Sequence, residues 1–174
     1  DALAGLAGRV ELHVNTVVGA SNAAELPGIS DLLARFVPAT HKVCLMEPRG
    51  SVLSNEADLL LDPAASGRIA AAARARAQAL YGTAGLSTVL EGYPLCQIGG
   101  DAAAVGNLRT HNILFMSEAF EDALYPTDHG ERAFPPDPCD ACGVRADCPG
   151  VYVGYVERHG NRGIAALPVD PRHP

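Results

Sequence analysis

Lys42 is the chain's single lysine; its other basic residues are arginines, and no run of Lys or Arg occurs. With 13 basic against 20 acidic residues the formal net charge is −7, so the sequence offers no electrostatic footprint for nucleic acid. No apolar stretch is long enough to span a bilayer and none has a signal-peptide layout, so neither a membrane span nor secretion is expected. No internal repeat is visible. No nucleophile elbow occurs, and His13, His41, His111, His129, His159 and His173 are spread singly, which leaves Ser/His/Asp or Cys/His catalysis without support. The glycines of the loop at 97–107 lack a strand–helix frame, so they do not read as a phosphate loop. The chain has no initiator methionine, and Asp1 to Gly8 reads as the end of a helix with a Gly stop. The expectation is a piece of a longer protein. What is present is globular: 174 residues, 48% hydrophobic and 19% charged, enough for a domain with a real core.

The first half alternates between two periods. Val10 to Val18 places Val10, Leu12, Val14, Thr16 and Val18 on one side of a strand, with His13 and Asn15 side by side on the other. Asn22 to Glu25 reads as a capping box, and Leu26, Ile29, Leu32, Leu33 and Phe36 follow at helical spacing. Pro27 is tolerable only in a first turn, so that helix starts late. Lys42 to Glu47 is a short apolar run of the kind that forms a buried parallel strand, with Cys44 as a small buried hydrophobe. Strand, helix and strand make a βαβ unit. Asp62 caps a further helix over 62–82, with Pro63 at its first position. Ile69, Ala73, Ala77 and Leu80 give its buried side, and Arg68, Arg74 and Arg76 a solvated face. Ser87 to Leu95 is strand-like; Asn112 to Met116 fits a strand or a short helix equally.

The second half is organised around Cys139, Cys142 and Cys148, spaced C-x2-C-x5-C after the run Pro135-Pro136-Asp137-Pro138. That run is expected to be extended, not helical. A C-x2-C pair puts two sulfurs within reach of one metal, and thiolates at this density select zinc or an iron–sulfur cluster over hard cations. Cys96, at the end of Tyr93-Pro94-Leu95-Cys96, is the candidate fourth ligand. The alternative is two disulfides or scattered buried thiols. Five clustered cysteines, an odd number, fit a metal site in a reducing cytoplasm better.

Cys139 to Gly150, followed by Tyr152, Gly160 and Leu167-Pro168, resembles the C-terminal end of radical S-adenosylmethionine (radical SAM) proteins and the core of the SPASM motif, which binds auxiliary [4Fe–4S] clusters. Tyr152 stands where that motif has its final Cys, which leaves room for one auxiliary cluster. Val14 to Val18, Asn22, Glu25-Leu26 and Leu45-Met46-Glu47-Pro48 with Gly50 resemble strand five, helix five and strand six of the same family's partial barrel.

The resemblance implies an α/β fold: the second half of a (βα)6 partial TIM-type barrel over 1–85, followed by a small cysteine-rich, SPASM/twitch-like C-terminal extension over 86–174. It implies that Asn15 and Met46 approach S-adenosylmethionine and that His13 points toward substrate. It further implies that Cys96, Cys139, Cys142 and Cys148 hold an auxiliary [4Fe–4S] cluster, served by an electron donor. A peptide or small molecule would be modified by hydrogen abstraction in the full-length enzyme. The C-x3-C-x2-C that holds the radical-generating cluster is absent from these residues, so the fragment is expected to be inactive by itself. A zinc-binding structural module and a peptide-recognition module are the competing classes.

Overall fold

The computed structural model describes residues 2–36, 40–81, 87–106, 112–117, 120–126 and 132–169. Helix α1 (Ala2–Leu6) ends at Gly8, whose φ of 71° lies in the left-handed region. Strand β1 (His13–Val18) is shorter than the alternating pattern, and Val10 is exposed. Asn22 does not cap a helix. Its side-chain oxygen accepts from the Gly19 N–H (2.9 Å) and its amide donates to the Val17 carbonyl (2.8 Å), so it closes the turn that leaves β1. A 3-10 turn over Ala23–Glu25 leads into α2 (Leu26–Ala34), with Pro27 in the first turn, where an absent N–H costs nothing. Leu26, Ser30 and Leu33 are buried, while Leu32, a member of the expected stripe, is exposed.

Strand β2 (Thr40–Leu45) lies parallel to β1, with Thr16 opposite Val43 and Val18 opposite Leu45. Two single-turn helices follow, α3 (Ser51–Ser54) and α4 (Glu56–Leu59), which no periodicity announces. Helix α5 (Pro63–Tyr81) opens with the Asp62 carboxylate accepting the Ala65 N–H at 3.1 Å. Ser66, Ala70, Ala73 and Ala77 are among its buried positions; Leu80 is exposed. Arg74 is not on a solvated face. It donates to the Thr88 carbonyl (3.2 Å) and pairs with Asp101 (2.7 Å), while Arg76 makes a two-pronged pair with Asp31 on α2. Strand β3 (Ser87–Glu91) then runs parallel to β2, so the sheet order is β1-β2-β3.

That order decides where the sheet faces. Helices α2 and α5 pack against each other and both cover one face, burying Thr16, Val18, His41, Val43, Leu45, Thr88 and Leu90. The opposite face carries His13, Asn15 and Val17, then Lys42 and Cys44, then Val89 and Glu91. His13, Asn15 and Val17 are exposed there. Two crossovers that advance in the same direction and share one hand leave both helices on the same side.

Strands β4 (Asn112–Ser117) and β5 (Phe120–Pro126) form an antiparallel hairpin, which settles the ambiguity at Asn112 to Met116 as strand. The Cys-rich part begins with β6 (Arg132–Ala133), paired antiparallel with β7 (Val151–Tyr152). Between them lies α6 (Pro136–Asp140), which corrects the extended reading of the proline run. Its prolines occupy the first turn, where N–H groups have no intrahelical partner, and the Cys139 N–H still reaches the Pro135 carbonyl (3.1 Å). Helix α7 (Val153–His159) closes the unit. It docks on the exit of β2: a Cβ at Gly154 would lie 2.8 Å from Pro48, and Arg158 pairs with Glu56 (2.8 Å). Cys148, Val151 and Tyr155 share one core with Val18, Val43 and Leu90, so sheet and Cys-rich unit are packed together.

Among the described residues, no helix is long and apolar enough to cross a membrane.

Candidate metal centre

Four cysteines from two distant stretches line one cavity: Cys96, Cys139, Cys142 and Cys148. Three come from a single loop. Cys139 sits in the last turn of α6, and the Cys142 N–H closes on its carbonyl at 3.2 Å. A 3-10 turn over Arg145–Asp147 then reverses the chain, and Cys148 follows in extended conformation. Cys96 lies in the 3-10 turn Leu95–Gln97, which Pro94 forces off the end of β3. Apart from the sulfurs and Arg145, the walls are apolar, with Leu95, Phe134, Val144, Val151 and Ile164 among them. All five cysteines of the chain are free thiols, so no disulfide joins them.

Backbone N–H groups point at the sulfurs. Cys148 Sγ accepts from Leu95 and from Gly150, each at 3.4 Å, and Cys142 Sγ accepts from Leu167 at 3.5 Å. Cys96 is held by the backbone of Ala165. Such donors favour thiolate over thiol and withdraw charge from it. Burial works the other way. It pushes the Cys96 and Cys139 thiols up from their ordinary value, and the neighbouring sulfurs push them further. Arg145 is the cation beside them, and it pairs with Asp140 at 2.6 Å. Ionised together, four thiolates in an apolar cavity would need a positive occupant, and the N–H donors would then steady the charge on its sulfur ligands.

The residues present fit a thiolate-bound group in type, number and hydrogen bonding. Among the described residues, no three His, Cys, Asp or Glu side chains gather tightly enough to hold a single metal ion. The four sulfurs line one cavity, a donor set that suits zinc as well as an iron–sulfur cluster.

The other expected site residues lie elsewhere. His13 and Asn15 stand on the exposed sheet face, where His13 Nε2 is 3.1 Å from Glu11. Met46 follows β2, and its side chain rests on Gly19, where an added Cβ would meet its methyl at 2.8 Å. None of the three lines the cysteine cavity. Cys44 is half-buried on the sheet, its thiol pushed up to about 11, chiefly by burial. Tyr152, where the resemblance finds the motif's final Cys missing, is not among the residues lining the cavity. Its ring stacks on Arg132 instead, and Arg132 donates to the Gly92 carbonyl at 2.8 Å. Sequence reasoning missed the hydrogen-bond donors of the site, Leu95, Gly150, Ala165 and Leu167. Backbone N–H groups leave no signature in residue type.

No protein-family model, no curated protein and no solved structure matches this chain.

Proposed function

We propose that these residues are the C-terminal part of a radical SAM enzyme and that the cysteine cavity seats an auxiliary [4Fe–4S] cluster. The observation that carries the reading is the gathering of Cys96 with Cys139, Cys142 and Cys148 in one apolar cavity with N–H donors on its sulfurs. The sheet adds support. Sequential parallel strands with both helices on one side are wound as the wall of a barrel is wound. Among the described residues β1 has a strand neighbour on one side only, where earlier strands of a partial barrel would join.

In this reading the four cysteines bind the cluster through their sulfurs, and Leu95, Gly150, Ala165 and Leu167 hold the charge on those sulfurs. Such a cluster supplies one-electron transfer beside a substrate. The apolar walls keep water from it. Asn15 and the backbone at Met46 would meet S-adenosylmethionine, and His13, on the same sheet face as Asn15, would meet substrate. A peptide or small molecule is the substrate class, and an electron donor is the protein partner. Hydrogen abstraction requires the C-x3-C-x2-C cluster site that these 174 residues lack.

Anaerobic reconstitution with iron and sulfide tests the reading. About four iron and four sulfide per chain are expected, with the loss of both on Cys96→Ala. Stoichiometric zinc with no iron would make the site a closed structural zinc centre and overturn it.

A further inference from the structure

The segment Ile164–Val169 forms no helix or strand, yet it meets the cysteine site repeatedly. The Ala165 backbone holds Cys96, and the Leu167 N–H donates to Cys142 Sγ at 3.5 Å. The Leu167 carbonyl accepts the Gly143 N–H at 2.8 Å, and the Val169 backbone lies directly against Gly143. Ile164 and Ala165 also form part of the cavity wall. Two side chains anchor the segment: Ile164 and Leu167 are half-buried and pack against the core. Leu167 rests on Gly100, while Ala165, Ala166, Pro168 and Val169 are exposed. Gly160 and Gly163 precede it at positive φ (58° and 73°); Gly160 has open space around it and can turn, while Gly163 packs on Ala64.

We infer that Ile164–Val169 is a gate over the cysteine site: it lifts to admit the occupant, then returns to hydrogen-bond the sulfurs of Cys96 and Cys142. The cluster as that occupant rests on the reading above; the gating of the thiols does not. A segment fixed by a few backbone bonds and two half-buried side chains, with its other four residues exposed, opens locally without unfolding of the rest. Its bonds reach one sulfur on each of the two stretches that build the site, so lifting it exposes both.

Gly143→Ala separates the gate from the ligands. The Gly143 backbone is not left-handed, so alanine fits its conformation, but the new Cβ would fall on the Val169 backbone and displace the segment. Leu167→Pro removes one N–H donor, and Leu167→Ala keeps it as the control.

The experiment alkylates the metal-free chain with iodoacetamide and follows each cysteine by mass spectrometry. Gly143→Ala is expected to raise the rates at Cys96 and Cys142 roughly ten-fold, and Leu167→Pro to do so at Cys142 more than Leu167→Ala does. Cys44, on the sheet, should keep its rate. Unchanged rates at Cys96 and Cys142, or an equal rise at Cys44, would overturn the gate.

Iron uptake supplies the second readout. Gly143→Ala should load and release iron faster by a similar factor, to the same final content. A chain that gates its thiols in this way but takes up no iron keeps the gate and loses the cluster. A chain that loads equally fast in both forms keeps the cluster and loses the gate.

Discussion

The guanidinium carbon of Arg132 lies 3.5 Å from the centre of the Tyr152 ring, across the antiparallel pair that joins β6 to β7. The same guanidinium donates to the carbonyl of Gly92, just past the end of β3. Burial pulls Arg132 down from its ordinary value, so its charge is held by the ring and the carbonyl at a desolvation cost. Arg132→Ala removes the cation–π contact and the bond between the two halves of the molecule. A loss of about 2–3 kcal/mol in urea unfolding is expected. Tyr152→Phe keeps the ring and should cost far less than Tyr152→Ala.

Gly92 sits beneath that pair with φ of 88°, and a Cβ there would lie 3.0 Å from the Tyr152 hydroxyl and 3.2 Å from Leu45 Cβ. Gly92→Ala combines left-handed backbone with contact on two packed neighbours. A destabilisation of about 2–3 kcal/mol is expected from thermal or urea melts. An unchanged midpoint would show that Tyr152 moves aside freely.

Cys148 is 9% exposed and accepts two N–H bonds. Cys148→Ala leaves the Leu95 and Gly150 donors without their sulfur. The metal-free chain should lose about 1–2 kcal/mol, before any effect on metal content. Cys139→Ala removes a half-buried sulfur and should cost the metal-free chain less, while abolishing cluster binding equally.

His41 is fully buried under the helices, its Nε2 3.0 Å from the Thr16 hydroxyl, and burial holds it below the ordinary 6.5. Below pH 6.5 the unfolded chain takes up a proton that the folded chain refuses. Stability from this group is therefore fully present above that pH and falls as pH drops toward the depressed folded value. Urea midpoints of the native chain should decline through this range, and His41→Asn should remove that part of the slope. Parallel declines in both chains would assign the slope to other groups.

Where a signal lay in side-chain chemistry or period, it could be read before the fold. The alternation around Val14 and the apolar run at Val43 mark two strands that prove parallel, and Asp62-Pro63 marks the start of α5. The cysteine spacing names three residues of the cavity, and the stiff strand end expected at Tyr93 to Cys96 names the fourth, although the chain makes a 3-10 turn there. The misses have physical causes. Asn22 carries the right side chain for a cap, but the turn out of β1 offers it two closer partners. The proline run looks hostile to helix, yet first-turn positions do not need the missing N–H. Leu32 and Leu80 keep the helical spacing and still face solvent, because period shows which residues share a side and not how far the neighbouring elements reach. Arg74 carries a charge, and its tie to Thr88 depends on the placement of β3.

Leu95 and Cys148 are 53 positions apart in the chain, whereas β1 and β2 are joined by little more than one short helix. Closing the longer loop costs roughly 3–4 kcal/mol of chain entropy before any contact returns it. β3 reaches β2 across a loop nearly as long, so only the β1–β2 pair is favoured to form ahead of the cysteine cavity. Synthesis runs in the same order. All three parallel strands and both covering helices precede Cys139, so a ribosome has delivered the platform before it adds the loop that completes the cavity.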